Sequence, residues 1–143
     1  MNVRDCMSTQ VRTTTPEATL REAARIMKET DAGAVPVGEN DRLVGMITDR
    51  DIAIRAVAEG RSFDTKVREV MSQGVEYVFD DEDLDEASMK MSDLKVRRLP
   101  VVNREKRLVG IISLGDISKS NDPSQAETAL SGVSQPGGPH IQR

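Results

Sequence analysis

Cysteine and histidine are almost absent from this 143-residue chain, with one of each, Cys6 and His140. A single cysteine excludes an intrachain disulfide and a cysteine-rich zinc site. A single histidine, set near one end while the cysteine lies near the other, leaves no nucleophile–base pair for covalent catalysis, so the chain does not read as an enzyme. Tryptophan is missing and aromatic residues make up 2% of the chain. That argues against a single-strand nucleic-acid binder that stacks bases on rings. Positive charge is not in excess either: 20 Lys and Arg against 24 Asp and Glu give a net charge of −4, the wrong sign for broad attachment to DNA or an acidic membrane. No run approaches the ~20 apolar residues of a membrane span. The opening Met1-Asn2-Val3-Arg4-Asp5 has no apolar stretch behind its charge, so no signal peptide is expected there. The expected location is cytoplasmic and reducing, and the length allows a sizeable core without staples.

What is present is a repeat. Met7-Ser8 recurs as Met71-Ser72, and Val35-Pro36-Val37 as Leu99-Pro100-Val101, both 64 positions on. Leu43-Val44-Gly45 recurs as Leu108-Val109-Gly110, 65 positions on, with one residue added in the turn between. Thr48-x-x-Asp51 then returns as Ser113-x-x-Asp116. Landmarks in one order at one spacing indicate a duplicated structural unit.

Each copy predicts strand, helix, strand, strand, helix. The first strands are β-rich stretches at Val11–Thr13 and Val75–Phe79. The first helices open on Thr19-x-x-Glu22, a capping box, and on its close equivalent Asp83-x-x-Glu86. Their apolar faces are Leu20, Ala23, Ala24 and Met27, then Leu84, Ala87, Ser88 and Met91. The strands around Pro36 and Pro100 read as edge strands or strand starts, because proline cannot donate to a ladder. The strands Leu43–Thr48 and Leu108–Ser113 follow, and a second helix runs from near Asp49 to a cap near Gly60. The repeat divides the chain into residues 1–63 and 64–120. Asn121-Asp122-Pro123 breaks the last helix. A short helix is expected over 121–133, with Ala126, Ala129, Leu130 and Val133 on one face, and the Pro/Gly-rich residues 134–143 read as disordered.

These landmarks resemble the cystathionine β-synthase (CBS) domain family, as the tandem pair called a Bateman module, over roughly residues 3–120. The specific features are the two Gly-x-x-[Ser/Thr]-x-x-Asp segments, each after a hydrophobic-Pro-Val strand, and the Val-x-x-x-Met lead-ins at Val3–Met7 and Val67–Met71. The Thr-Asp-Arg-Asp wording of residues 48–51 is similar to stand-alone bacterial CBS pairs, some of them linked to stress or hypoxia responses. The resemblance implies an α/β (α+β) fold of two βαββα units related by a pseudo-two-fold axis, with small mixed or mostly antiparallel sheets packed with helices. It also implies a homodimer, a flat disk of four units, and two clefts per chain for adenosine-type nucleotides. AMP, ADP and ATP lead that class, with NAD and S-adenosylmethionine as further candidates.

On physics alone, Gly45-Met46-Ile47-Thr48-Asp49-Arg50-Asp51 sits at a strand-to-helix junction. Free amides there favour a phosphate. A threonine hydroxyl donates to phosphate or ribose, a carboxylate accepts from ribose hydroxyls, and Gly45 would let a ligand approach the backbone. The same Thr48/Asp51 and Ser113/Asp116 spacing reads equally as a helix cap with no ligand at all. What the resemblance adds is a residue set for each cleft. The first, favoured cleft takes Gly45, Met46, Thr48, Asp51, Gly74, Glu76, Tyr77, Arg97 and Arg98. The second, weaker cleft takes Gln10, Arg12, Gly33, Ala34, Gly110, Ile111, Ser113 and Asp116. Arg97 and Arg98 offer charge-assisted phosphate contacts to the first, or read as a solvated edge or ion pairs. No metal site is expected: the acidic run Asp80-Asp81-Glu82-Asp83 lacks the glycine turn and ligand spacing of a calcium loop and reads as solvated surface. A basic edge of Arg97, Arg98, Arg104, Lys106 and Arg107 is the one feature that speaks for nucleic acid. Met27, Met46, Met71 and Met91 read as core or cleft lining, and Cys6 as an inert thiol. The function expected is a sensor without catalysis that acts in trans on an unidentified protein. The alternative is a ligand-free interaction or stress-response module.

Overall fold

The computed structural model describes residues 1–119. The expected helix over 121–133 and the tail over 134–143 lie outside the described residues. Among those described, the chain forms a mixed α/β fold in two compact units: residues 12–75, here the first unit, and residues 1–11 with those from 76 onward, the second.

In the first unit, α1 (Leu20–Thr30) precedes a two-stranded antiparallel sheet of β1 (Ala34–Glu39) and β2 (Arg42–Thr48). The short α2 (Asp49–Asp51) then runs on as a π-helix over Ile52–Val57. The Thr19 hydroxyl caps α1 by accepting from the Glu22 N–H at 3.2 Å, about 1 kcal/mol of helix stability. Leu20, Ala23 and Met27 are buried, whereas Ala24 on the expected face is exposed. Gly60 ends the helical stretch with φ +76°, a left-handed conformation that favours glycine.

The second unit repeats the order with β3 (Val78–Phe79), α3 (Leu84–Leu94), β4 (Arg98–Val102), β5 (Leu108–Ser113) and α4 (Leu114–Ser118). Its sheet runs β3-β4-β5, parallel then antiparallel. Asp83 is the N-cap of α3 but makes no side-chain cap bond, so the second capping box is not formed. Pro100 lies in the central strand, not at an edge. The parallel pairing to β3 involves only Val101 and Val102, beyond the proline, so its missing N–H is not called on there. The expected first strands are also shorter than read. Residues 11–13 form none, with pairing reduced to a Thr14–Val37 bridge, and the second strand starts at Val78 after the left-handed Gly74. Gln10, Arg12 and Thr13 are exposed, so no burial holds them in a sheet.

The unit boundaries differ from the division at 1–63 and 64–120 because each lead-in joins the body of the other copy. Val67 is fully buried among Leu20, Ala23, Val35, Val37 and Ile47 of the first unit. Val3 is fully buried among Leu84, Ala87, Leu99, Val101 and Ile112 of the second. Burying one valine is worth about 1.5–3 kcal/mol. Backbone bonds add to this: Val67 N–H to Ala18, Leu20 N–H to Thr65, Val3 N–H to Glu82 and Leu84 N–H to Met1, all 2.8–2.9 Å.

The acidic run is not simply solvated. Arg104 grips Asp81 through two hydrogen bonds of 2.7 and 2.8 Å and lies 4.1 Å from the Phe79 ring centre. Arg4 faces Asp80 at 3.8 Å, and Glu82 accepts from the Phe79 N–H. The hydrogen bond from Arg104 holds the Asp81 carboxyl below the usual carboxylate range. It also removes Arg104 from the basic edge.

The first unit also carries an apolar groove of about 740 Å³, lined by Leu20, Ala24, Ile52, Val57 and Phe63, with Arg21 and Arg61 beside them. Val57 and Phe63 are 69% and 60% exposed.

Candidate functional site

Each candidate site is a strand end turning into a helix. At the end of β2, Thr48 is extended (φ −119°, ψ 163°) and its Oγ1 accepts from the Asp51 N–H at 3.0 Å. In return Asp51 Oδ2 accepts from the Thr48 N–H at 3.0 Å. At the end of β5, the Ser113 Oγ accepts from the Asp116 N–H at 3.1 Å, and Asp116 Oδ2 accepts from the Ser113 N–H at 2.9 Å. These are complete capping boxes. They also hold a carboxylate and a hydroxyl in a fixed relation. Each hydroxyl keeps its proton to donate and each carboxylate keeps its second oxygen. Asp51 Oδ1 lies 3.9 Å from Arg55 Nε. Asp116 Oδ1 has no hydrogen bond or ion pair among the described residues.

Two expectations for this junction are corrected. The amides of the first turn are not free: in α2, Asp49 N–H donates to Gly33 at 2.9 Å, Arg50 N–H to Asp49 Oδ1 at 2.8 Å, and Asp51 N–H to Thr48. In α4, Leu114 N–H donates to Arg97 at 2.9 Å and Asp116 N–H to Ser113. The open helix end expected at Thr48–Asp51 is therefore taken up within the protein. Nor is the Cβ side of Gly45 and Gly110 open to a ligand. A Cβ on Gly45 would meet the Ser72 carbonyl oxygen at 2.9 Å, and one on Gly110 that of Ser8 at 2.8 Å. Both glycines are needed because the lead-in passes there.

The other expected residues fall in both units. Arg12, Gly33, Ala34, Gly45, Met46, Thr48, Asp51 and Gly74 belong to the first; Gln10, Glu76, Tyr77, Arg97, Arg98, Gly110, Ile111, Ser113 and Asp116 belong to the second. Within the first unit, Ala34 pairs with Thr48 across the sheet, and Met46 bridges Ser72. Arg12 is an exposed ion-pair partner of Glu29 at 3.0 Å. Within the second, Arg98 pairs with Ser113, and Ile111 bridges Ser8. Neither Arg97 nor Arg98 has a side-chain hydrogen bond or ion pair among the described residues, so the ion-pair reading of these arginines is not realised there. Two residues near the expected sites escaped the sequence reading. Lys90 donates to the Tyr77 carbonyl, sits 3.5 Å from Glu76 and lies 5.7 Å from the Tyr77 ring centre. Arg55 is the other; its only sequence signal is the i,i+4 spacing from Asp51.

The CBS domain family model matches residues 3–57 and 67–121. The chain belongs to the CBS domain family. It is 43% identical over 134 residues to the CBS domain-containing protein YhcV of Bacillus subtilis, covering 93% of this chain and 95% of that one. Its fold is similar to three solved CBS structures. Hypoxic response protein I with two coordinated zinc ions has a TM-score of 0.77 at 37% identity, over 85% of this chain and all of the other. The CBS domain pair of MJ0100 with 5′-methylthioadenosine and S-adenosyl-L-methionine has a TM-score of 0.71 at 32% identity, over 83% and 94%. CBSX2 in complex with AMP has a TM-score of 0.73 at 25% identity, over 82% and 93%.

Among the described residues of this CBS pair, no three His, Cys, Asp or Glu side chains are grouped to hold a metal. No helix described is long and apolar enough to cross a membrane. Cys6 is half-buried and donates to the Met1 sulfur at 3.2 Å. Burial, then Asp5 and Asp116, push its thiol pKa up, which keeps it protonated and slow to react at neutral pH.

Proposed function

We propose that this CBS pair is a non-catalytic cytoplasmic sensor of adenosine-type nucleotides that acts in trans on a protein partner. AMP, ADP and ATP are the leading ligands, with NAD and S-adenosylmethionine behind them. The observation that carries this is the Thr48–Asp51 pair: a carboxylate fixed by one oxygen, its second oxygen outside the capping box, beside a hydroxyl with a proton to donate. That set suits the hydroxyls of a ribose. The AMP, methylthioadenosine and S-adenosylmethionine complexes of similar CBS structures support the ligand class. The guanidiniums of Arg97 and Arg98, which have no side-chain hydrogen bond or ion pair among the described residues, are proposed to supply charge for a phosphate.

Thermal melts with AMP, ADP, ATP, NAD and S-adenosylmethionine test this. A ligand at ~100 times its Kd adds about 2.7 kcal/mol, which moves Tm by roughly 5–10 °C for a chain of this size. The absorbance spectrum gives an independent check. With one Tyr and no Trp, a co-purified adenine nucleotide would dominate near 260 nm. No shift and a clean protein spectrum would sink the sensor reading. One observation favours the ligand-free interaction module instead: both capping boxes close completely on the protein's own groups.

A second copy of the chain is the partner we propose for the groove of the first unit, whose exposed Val57 and Phe63 otherwise face water. Light scattering is expected to show a dimer that Val57→Glu converts to a monomer. A monomeric wild type would refute it.

A further inference from the structure

The guanidinium of Arg55 stands between two things the proposed function needs to connect. On one side its Nε lies 3.9 Å from Asp51 Oδ1, the oxygen left over by the capping box. On the other its Nη1 donates to the Val70 carbonyl at 3.2 Å. Asp51 is 15% exposed and Arg55 54%, so the carboxylate is held while the guanidinium borders solvent. Val70 belongs to the lead-in, whose next two residues close on the strand before the site: Met71 packs on Gly45, and Ser72 exchanges two backbone bonds of 2.9 and 3.0 Å with Met46. The Thr48–Asp51 turn is thus tied to residues 70–72 from both sides, through β2 and through Arg55. Beyond Ser72 comes Gly74, left-handed, exposed and with open space where a Cβ would be. The first unit ends at Val75.

Among the described residues, the second copy lacks the device. The residue 65 positions on from Arg55 is Ser120, and Asp116 Oδ1 has no hydrogen bond or ion pair among the described residues. At the place of Val70, the second unit has Cys6, which feels the Asp116 charge. The lead-in therefore runs beside the motif carboxylate in both units, but among the described residues only the first carries a cation that links the two.

We infer that Arg55 is a positioning residue: it orients the Asp51 carboxylate for a nucleoside and ties that carboxylate to Val70, so that occupancy of Asp51 is felt by residues 70–72. This rests on the reading of Asp51 as a ribose acceptor. The Asp51–Arg55 contact, at 3.9 Å, is an ion pair and not a hydrogen bond. A ribose on Asp51 Oδ1 would favour the arrangement in which Arg55 keeps both Asp51 and Val70, and a ligand shifts such an equilibrium only through its difference in affinity for the two arrangements.

The experiment compares wild type, Arg55→Gln and Arg55→Lys with two probes, AMP and 5′-methylthioadenosine, by calorimetry and by amide hydrogen exchange over residues 67–72. In wild type, both probes are expected to slow exchange at residues 70–72. In Arg55→Gln both should bind about twofold more weakly, the value of an i,i+4 ion pair, and the added protection should disappear. Arg55→Lys should recover part of the affinity. Weakening of AMP alone would mean that Arg55 touches phosphate and does not position Asp51, which overturns the inference. So would unchanged affinity in Arg55→Gln, or protection that survives in it. If neither probe binds wild type, the nucleotide reading itself fails and takes this inference with it.

Discussion

Asp51→Asn is expected to weaken AMP binding about 10–100-fold, the value of hydrogen bonds to a charged acceptor. The unliganded protein should stay within about 0.5 kcal/mol of wild type, since an asparagine oxygen can still accept from the Thr48 N–H as a capping-box partner does. The substitution also removes the Asp51–Arg55 ion pair, but that pair is half-exposed on the arginine side and 3.9 Å long. An i,i+4 pair of this kind is worth only ~0.3–0.5 kcal/mol. Binding and folding therefore separate in this variant, which Asp51→Ala would not allow. Calorimetry with AMP beside chemical denaturation checks both halves. Arg98→Ala makes the companion test: it should weaken AMP about tenfold and leave 5′-methylthioadenosine unchanged, because only AMP carries a phosphate. Undiminished AMP binding in Asp51→Asn would reduce the Thr48–Asp51 pair to a helix cap.

Gly45→Ala should destabilise the protein by about 2 kcal/mol, the typical cost of forcing a methyl into a packed site. For a chain of this size that is roughly 4–8 °C in Tm. The Met71 sulfur, 2.8 Å from the added Cβ, can swing aside, but the Ser72 carbonyl at 2.9 Å cannot. That oxygen accepts from the Met46 N–H at 3.0 Å, so retreat breaks the bridge that docks the lead-in. Gly110→Ala should behave alike against Ser8 in the second unit, where the clash is 2.8 Å. Gly38→Ala is the control, since its Cβ would meet only the Arg42 carbonyl at an ordinary 3.5 Å. Equal melting of Gly45→Ala and Gly38→Ala would show that the lead-in does not pass over Gly45 in solution.

Much of the fold was legible because its signals are local. The 3.6-residue spacing of Leu20, Ala23 and Met27 and of Leu84, Ala87 and Met91 marked both buried faces. The Thr48/Asp51 and Ser113/Asp116 spacing marked both caps. Where local pattern met a tertiary demand, the reading slipped. Val11 to Thr13 looked like a strand but has no buried face to hold it. Pro100 looked like an edge residue but lies centrally, because β3 pairs only beyond it. Gly45 looked like room for a ligand because no sequence pattern reveals which backbone passes over a glycine. Arg55 and Lys90 were missed because their partners, Val70 and Tyr77, are near only after folding.

Spacings along the chain are enough to specify the duplication, the order of elements in each copy, the family and the two capped strand ends. They do not specify which body each lead-in joins. Val3 and Val67 are equivalent valines facing equivalent sockets of Leu, Ala and Val, and hydrophobic burial is non-directional, so pattern alone cannot tell one socket from the other. In the folded chain the backbone bonds of Val67 to Ala18 and of Val3 to Glu82 make that choice. They also place Val70 where Arg55 can reach it.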